Sequence, residues 1–215
     1  MEQNLSKKTR TESDLIGSRE VPESALYGVQ TLRGIENFRI SKFHLNEYPL
    51  FIQALAITKM GAAVANRELD LLTEEQADAI LKACKEILEG KHHDQFPVDM
   101  IQGGAGTTTN MNANEVIANR ALELMGHQRG EYQYCSPNDH VNRSQSTNDA
   151  YPTAIHIGLY YTHLKLVKHF EVLIESFRKK ATEFAHVIKM GRTQLEDAVP
   201  MTLGQTFNGF ASVLR

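Results

Sequence analysis

The chain has 215 residues, 41% of them hydrophobic and 23% charged, with a formal net charge of -3 and a pI near 6.3. This composition suits one large ordered domain or two small ones, and its mild acidity excludes the basic field that tracks phosphate backbones, so no nucleic acid partner is expected. No stretch approaches the roughly 18 apolar residues of a membrane span, and no apolar core follows the basic start MEQNLSKKTRTESD, so the expectation is a cytoplasmic protein without a membrane partner.

Residues 1–14 read as a flexible N-terminal arm, with Lys7, Lys8 and Arg10 in a solvated terminus. From Gly17 to Arg33 the run GSREVPESALYGVQTLR has Pro22 and two glycines without sustained periodicity, which predicts irregular structure. Pro49 to Leu69 is rich in Ala, Leu, Ile and Met, and Phe51, Leu55, Ile57 and Met60 can share a broad apolar face, which predicts a helix. Thr73 with Gln76 forms a capping-box pattern. Ala77, Ile80, Leu81, Cys84, Ile87 and Leu88 then recur at helical spacing until Gly90 supplies a stop. His92 and His93 follow without a metal-ligand pattern and read as surface residues. Cys84 and Cys135 lack any CxxC or Cys/His spacing and read as reduced thiols, so no metal is implied. Asn112 to Met125 predicts a further helix with Val116, Ile117, Ala121 and Leu124 inward.

The longest periodic segment runs from Pro152 to about Lys189, with Ile155, Leu159, Leu166, Phe170, Leu173, Phe177, Phe184 and Ile188 among its apolar positions. About 38 residues at 1.5 Å each make a rod of roughly 55 Å, which needs long neighbours to cover it. A last helix begins near Met201 or Thr202, and Phe207, Phe210 and Leu214 already mark an apolar face where the sequence stops at Arg215. The reading at this level is that the chain is a fragment. No strand pattern of comparable strength occurs, so the predicted class is all-α.

Three polar stretches could carry chemistry. In GGAGTTTNMNAN, Gly103 to Asn114, glycines let the backbone turn tightly while Thr107, Thr108 and Thr109 place hydroxyls near the amides of a following helix. That suits an anion, and it equally suits a structural cap. In PNDHVNRSQSTNDAYPT, Pro137 to Thr153, ten polar residues precede the long helix, with Ser146, Thr147 and Asn148 placed where its dipole favours a carboxylate. An elaborate cap and turn is the alternative, and His140 reads as a structural hydrogen-bonding histidine. In MGRTQLEDAVPMTLGQ, Met190 to Gln205, Thr193 and Gln194 offer neutral donors and acceptors; Arg192 could equally cap the preceding helix, and Glu196 with Asp197 could be an acidic turn.

These three segments, in this order and joined by a very long helix, resemble the first conserved regions of the aspartase/fumarase superfamily, over essentially the whole chain after about Asp14. The resemblance implies an all-α homotetramer with a shared helical core and active sites built from loops of three subunits. It also implies an N-terminal lyase domain over residues 15–145 and the beginning of a central helical-bundle domain over residues 146–215. The implied chemistry is abstraction of a β-proton through an aci-carboxylate intermediate, without a cofactor. By resemblance, Thr107, Ser146 and Thr147 would hold the substrate's β-carboxylate, and Asn148, Thr193 and Gln194 would face the amino group and the α-carboxylate side. Class II fumarases usually carry Ser-Ser-Asn in the second stretch and a His after the threonine in the third. Here Ser146-Thr147-Asn148 and Gln194 stand at those places, which with GEYQY (Gly130 to Tyr134) and DAYPT points to the branch that takes L-aspartate to fumarate and ammonia. The alternatives are fumarate hydration and a non-catalytic helical assembly module. The family's catalytic serine lies in a GSSxMPxKxN signature, which does not occur in these 215 residues. The base is therefore expected beyond Arg215, and this chain alone is expected to be inactive.

Overall fold

The structure is a computed structural model that describes residues 8–215. Its elements in chain order are β1 (Thr9–Asp14), β2 (Gly17–Pro22), α1 (Val29–Asn37), α2 (Pro49–Glu68), α3 (Glu74–Leu88), α4 (Thr107–Leu124), α5 (Thr147–Glu183), β3 (Ile188–Thr193), β4 (Glu196–Thr202) and α6 (Leu203–Leu214). The class is all-α, as expected, with two small antiparallel hairpins added. By internal contacts the chain divides into two units, one ending at Leu159 and the other running from Tyr160 to Arg215. None of the described helices is long and apolar enough to cross a membrane.

In the first unit, α3 packs against both α2 and α4. Ile52, Leu55, Ala56, Ala63, Ala77, Ile80, Ala83, Cys84, Ile87, Val116, Ile117, Ala121 and Leu122 form the core between them. α3 starts as its sequence dictates: the Thr73 hydroxyl accepts from the Gln76 amide while the Gln76 side chain accepts from the Thr73 amide. Past its end Gly90 adopts φ +87 in open space, the left-handed turn that closes a helix. Both cysteines are buried free thiols; burial pushes each up to about 12.

α4 differs from the one-sided helix that its pattern suggests. It begins at Thr107, five residues before the expected start, and most of it from Thr109 to Leu122 is buried, whereas Leu124, expected inward, is 38% exposed. A helix buried on all sides need not be apolar if its polar groups find partners; in α4 most do, while the Oδ1 atoms of Asn110, Asn112 and Asn114 are buried without one among the described residues. Glu115 accepts the amides of Gly28, Gln30 and Thr31 at the start of α1. Asn119 donates to the Leu26 carbonyl and accepts from the Gly130 amide.

The β1–β2 hairpin and α1, which begins at Val29, correct the expectation of irregular structure from Gly17 to Arg33. Its residues are mostly exposed, but Glu12 and Val21 are buried. Glu12 Oε2 accepts from the Val29 amide and the Tyr132 hydroxyl at 2.9 Å each. Arg10 pairs with Glu12 at 2.7 Å and donates to the Pro22, Ala25 and Tyr27 carbonyls. Arg10 is therefore a structural hub, contrary to its reading as part of a solvated terminus. The expected arm over residues 1–14 overlaps the paired strand Thr9–Asp14, and Lys7 lies outside the described residues.

In the second unit α5 ends at Glu183, earlier than the expected Lys189, because Ile188–Thr193 pairs with Glu196–Thr202 as a hairpin. Arg192 accordingly caps no helix; it donates to the Leu195 carbonyl and lies 3.4 Å from Asp197. Phe177, Phe184, Phe207 and Phe210 cluster with ring centroids 5.6 to 6.2 Å apart, within the range at which aromatic pairs attract. α6 opens with a second capping box, Thr202 with Gln205, at the position expected from its pattern. α5 begins at Thr147, inside the polar stretch and five residues before the expected Pro152.

Candidate functional site

The first polar stretch opens, after Gly103, with three successive residues of positive φ, Gly104 (+72), Ala105 (+44) and Gly106 (+87), before α4 begins at Thr107. The side chain of Gln102 locks this entry. Its Nε2 donates to Thr109 Oγ1 and its Oε1 accepts from the Thr109 amide, each at 2.8 Å. Thr107 is exposed, and its hydroxyl donates to the Gly104 carbonyl at 2.7 Å. Thr108 instead packs on Gly34 of α1, so two of the three threonines have structural roles.

Gly106 joins this loop to the second stretch. A Cβ there would lie 2.3 Å from the Tyr151 ring, so the glycine admits the aromatic ring of the first α5 turns against the start of α4. The second stretch is a π-type turn over Pro137–Val141, in which the Val141 and Asn142 amides donate to the carbonyls of Ser136 and Pro137, five residues back. His140 Nδ1 accepts the Ser136 amide at 2.7 Å, the structural role expected for it. Burial lowers its pKa, opposed by Asp139 and reinforced by Arg143.

Ser146 and Thr147 stand at the N-terminus of α5. The Ser146 hydroxyl accepts the Asn148 amide at 3.2 Å, and the Thr147 hydroxyl accepts from Asn110 Nδ2 at 3.2 Å. A hydroxyl that accepts keeps its own proton to give, and among the described residues no acceptor takes either proton. Two O–H donors therefore stand beside the amides and positive end of a long helix, an arrangement selective for a negative group. Asn148 is exposed beside them.

Thr193 and Gln194 belong to the second unit. Thr193 pairs with Glu196 across a two-residue turn whose central residues, Gln194 and Leu195, have φ +50 and +67. Such turns match the twist of a hairpin but usually carry Gly or Asn; here both central residues are large and exposed. Thr107, Ser146, Thr147 and Asn148 are thus brought into one region of the first unit, and Thr193 and Gln194 into one turn of the second.

Beneath Ser146 and Thr147 lies a residue that the sequence reading passed over. Lys59 is fully buried in α2, and its Nζ donates to Asn142 Oδ1 at 3.0 Å and to Gln145 Oε1 at 2.9 Å. Among the described residues it has no ion pair. Burial lowers its pKa to about 7, with Cys84 opposing the shift. A signal was present: Ile52, Leu55, Ala56, Lys59 and Ala63 follow the three-and-four spacing of a buried stripe, so a lone lysine there points inward. Asn142 Oδ1 also accepts from Asn110 Nδ2 at 3.0 Å and Asn114 Nδ2 at 3.2 Å. Among the described residues no group of three or more His, Cys, Asp or Glu side chains is placed to hold a metal ion.

With this geometry in hand, comparison with known proteins assigns the class. A family model described as Lyase matches residues 17–215, and the chain belongs to that family. It is 59% identical over 205 residues to an aspartate ammonia-lyase of Pseudomonas fluorescens, covering 95% of this chain and 43% of the relative. It is 56% identical over 212 residues to an aspartate ammonia-lyase of Escherichia coli strain K12, covering 98% and 44%. A crystal structure of fumarate lyase:delta crystallin from Brucella melitensis bound to cobalt superposes with a TM-score of 0.90 at 53% identity, over 97% of this chain and 45% of that one. A recombinant class II fumarase from Schistosoma mansoni gives 0.83 at 39% identity, over 96% and 43%. The chain spans less than half the length of these curated relatives. The resemblance to the aspartase/fumarase superfamily is borne out.

Proposed function

We propose that this chain carries part of the substrate grip of an enzyme that eliminates ammonia from L-aspartate to give fumarate. The observation that carries the reading is the pair of hydroxyls at the start of α5: Ser146 and Thr147 each accept a hydrogen bond from the protein and so present their protons outward. Removing a weakly acidic proton beside a carboxylate places a second negative charge on that carboxylate, so donors aimed at it hold the transition state more tightly than the substrate. Two neutral hydroxyls at a helix N-terminus supply such donors without the strong ground-state attraction of a cation. Thr107 joins them once its hydroxyl turns from the Gly104 carbonyl, 2.7 Å away, toward the ligand.

In this reading Asn148, Thr193 and Gln194 face the amino group and the α-carboxylate. Gln194 does not titrate, so it serves in binding rather than as an acid or base, and no hydroxyl named here is assigned as the base. A homotetramer with shared sites fits the apolar side chains that α5 leaves exposed, among them Tyr160 (60%), Leu164 (43%) and Val172 (68%). The relatives named aspartate ammonia-lyase, at 56% and 59% identity against 39% for the class II fumarase, support ammonia over water as the leaving group.

The test continues the chain past Arg215 with the corresponding part of the Escherichia coli relative and follows fumarate absorbance with L-aspartate and with L-malate. Turnover of L-aspartate is expected, falling by about 10 to 100-fold in kcat/KM in Thr147→Val for the loss of a hydrogen bond to a charged group. Turnover of malate but not aspartate would refute the reading.

A further inference from the structure

A hydrogen-bond relay leads from the buried Lys59 ammonium to the candidate site. Lys59 Nζ donates to Asn142 Oδ1, and that oxygen also accepts one hydrogen of the Asn110 amide, 3.0 Å away. The second Asn110 hydrogen goes to Thr147 Oγ1 at 3.2 Å. A carboxamide can present either its oxygen or its NH2 in one place, and what selects between them is the surrounding charge and donors. An ammonium attracts the oxygen and repels the NH2 group. It therefore fixes Asn142 with Oδ1 inward, which its Nδ2 bond to the Gln145 carbonyl at 3.0 Å also favours. Asn110 must then point its Nδ2 at Asn142, and the same nitrogen reaches Thr147. Gln145 is oriented in the same way: Oε1 faces Lys59, and Nε2 donates to the Val141 and Arg143 carbonyls. The last group in the relay is thus an acceptor by constraint, and its proton is left to face outward.

We infer that Lys59 is a positioning residue: its ammonium sets the direction of the relay through Asn142 and Asn110, and so turns the Thr147 hydroxyl proton toward a bound carboxylate. The inference rests on the reading of Thr147 as a carboxylate donor, and it adds a cause for that donor's orientation. It also gives the site a sensitivity to pH. The charge bias disappears when Lys59 loses its proton; the neutral bonds of Asn142 to Gln145 and Asn114 persist, but no charged group that faces Lys59 replaces the bias. From α3 there is the Cys84 thiol, which stays neutral because burial raises it to about 12. From the segment before α5 there are the amides of Asn142 and Gln145, and from α4 those of Asn110 and Asn114, which share the Asn142 oxygen with Lys59.

The experiment measures binding of succinate, a dicarboxylate with nothing to eliminate, to the chimera continued past Arg215, as Lys59→Met, Thr147→Val and the double variant. Lys59→Met is expected to weaken succinate about tenfold, and to weaken it no further when Thr147 is already Val. A role confined to packing would give losses that add, and additive losses would overturn the inference. If Lys59→Met does not fold, the unsubstituted protein still decides. Its succinate affinity should fall as pH rises from 6.5 to 8.5, and the fall should be absent in Thr147→Val. A fall of equal size in both proteins, or none in either, overturns the proposal. An unchanged affinity in Thr147→Val at pH 6.5 instead removes the carboxylate reading itself, a result distinguishable from either of these.

Discussion

Gly106 and Gly90 share φ +87, but a Cβ at Gly106 would meet the Tyr151 ring at 2.3 Å, whereas Gly90 has nothing within 4 Å. Replacing each by alanine separates the backbone cost from the contact cost. Left-handed backbone costs an L-residue about 1–2 kcal/mol, and this is all that Gly90→Ala should lose. Carbon atoms rest at about 3.5–4.0 Å, so at Gly106 the ring must withdraw by more than about 1 Å, and overpacking of this kind costs about 1–3 kcal/mol more. Urea unfolding of the 215-residue chain should therefore place Gly106→Ala below Gly90→Ala by about 1–3 kcal/mol. In a Tyr151→Ala background that excess should vanish, because the clash has been removed. Equal losses for the two glycines, within about 0.5 kcal/mol, would show that the contact does not hold the start of α4 against α5.

Other outcomes follow from groups already described. Glu115→Gln can keep the two bonds made by one oxygen, but it sets an NH2 group against the third amide, and an unpaired buried N–H costs about 1–3 kcal/mol; chemical denaturation at pH 7 reads the loss, and no loss would mean that α1 is not anchored through this carboxylate. His140 has its folded-state pKa lowered, first by burial, so its neutral form stabilises the fold. That contribution is complete above the unfolded value near 6.5 and is lost as pH falls below it. The slope of stability between pH 5 and 7 should be shallower in His140→Asn, and an unchanged slope refutes the role given to the Ser136 amide bond. Glu86 is lowered to about 2, chiefly by its bond to Arg120 and also by His92. Its contribution is present above about 4.5 and lost as pH falls toward 2. Glu86→Gln should therefore flatten the acid limb of the stability curve, and an unaltered limb would count against the pairing.

The core helix α3 was legible because burial imposes three-and-four spacing on Ala77, Ile80, Cys84 and Ile87, and the Thr73 and Gln76 capping box marked where it begins. The hairpins were not legible. β1–β2 has almost no apolar alternation, since Thr9 and Thr11 bond Glu20 across the strands and Ser13 bonds Ser18, so its exposed pairing is polar. β3 was hidden because Ile188 continues the apolar period of α5 by coincidence. In the candidate site the hydroxyls and amides could be named from the sequence, since ten polar groups in one loop exceed what a cap needs. The direction of their hydrogen bonds could not, because Lys59 lies some 80 positions away and acts only once folding brings α2 beneath the loop.

The N-terminal hairpin also bears on how the protein can be shortened. A strand whose residues are mostly exposed looks expendable. Yet Glu12 holds the first amide of α1 and the Tyr132 hydroxyl, and Arg10 gathers three carbonyls between Pro22 and Tyr27. Removing the residues up to Glu12 would strip the support from α1 and from the GEYQY loop together, so a limit of truncation is set by two charged side chains rather than by the apolar core.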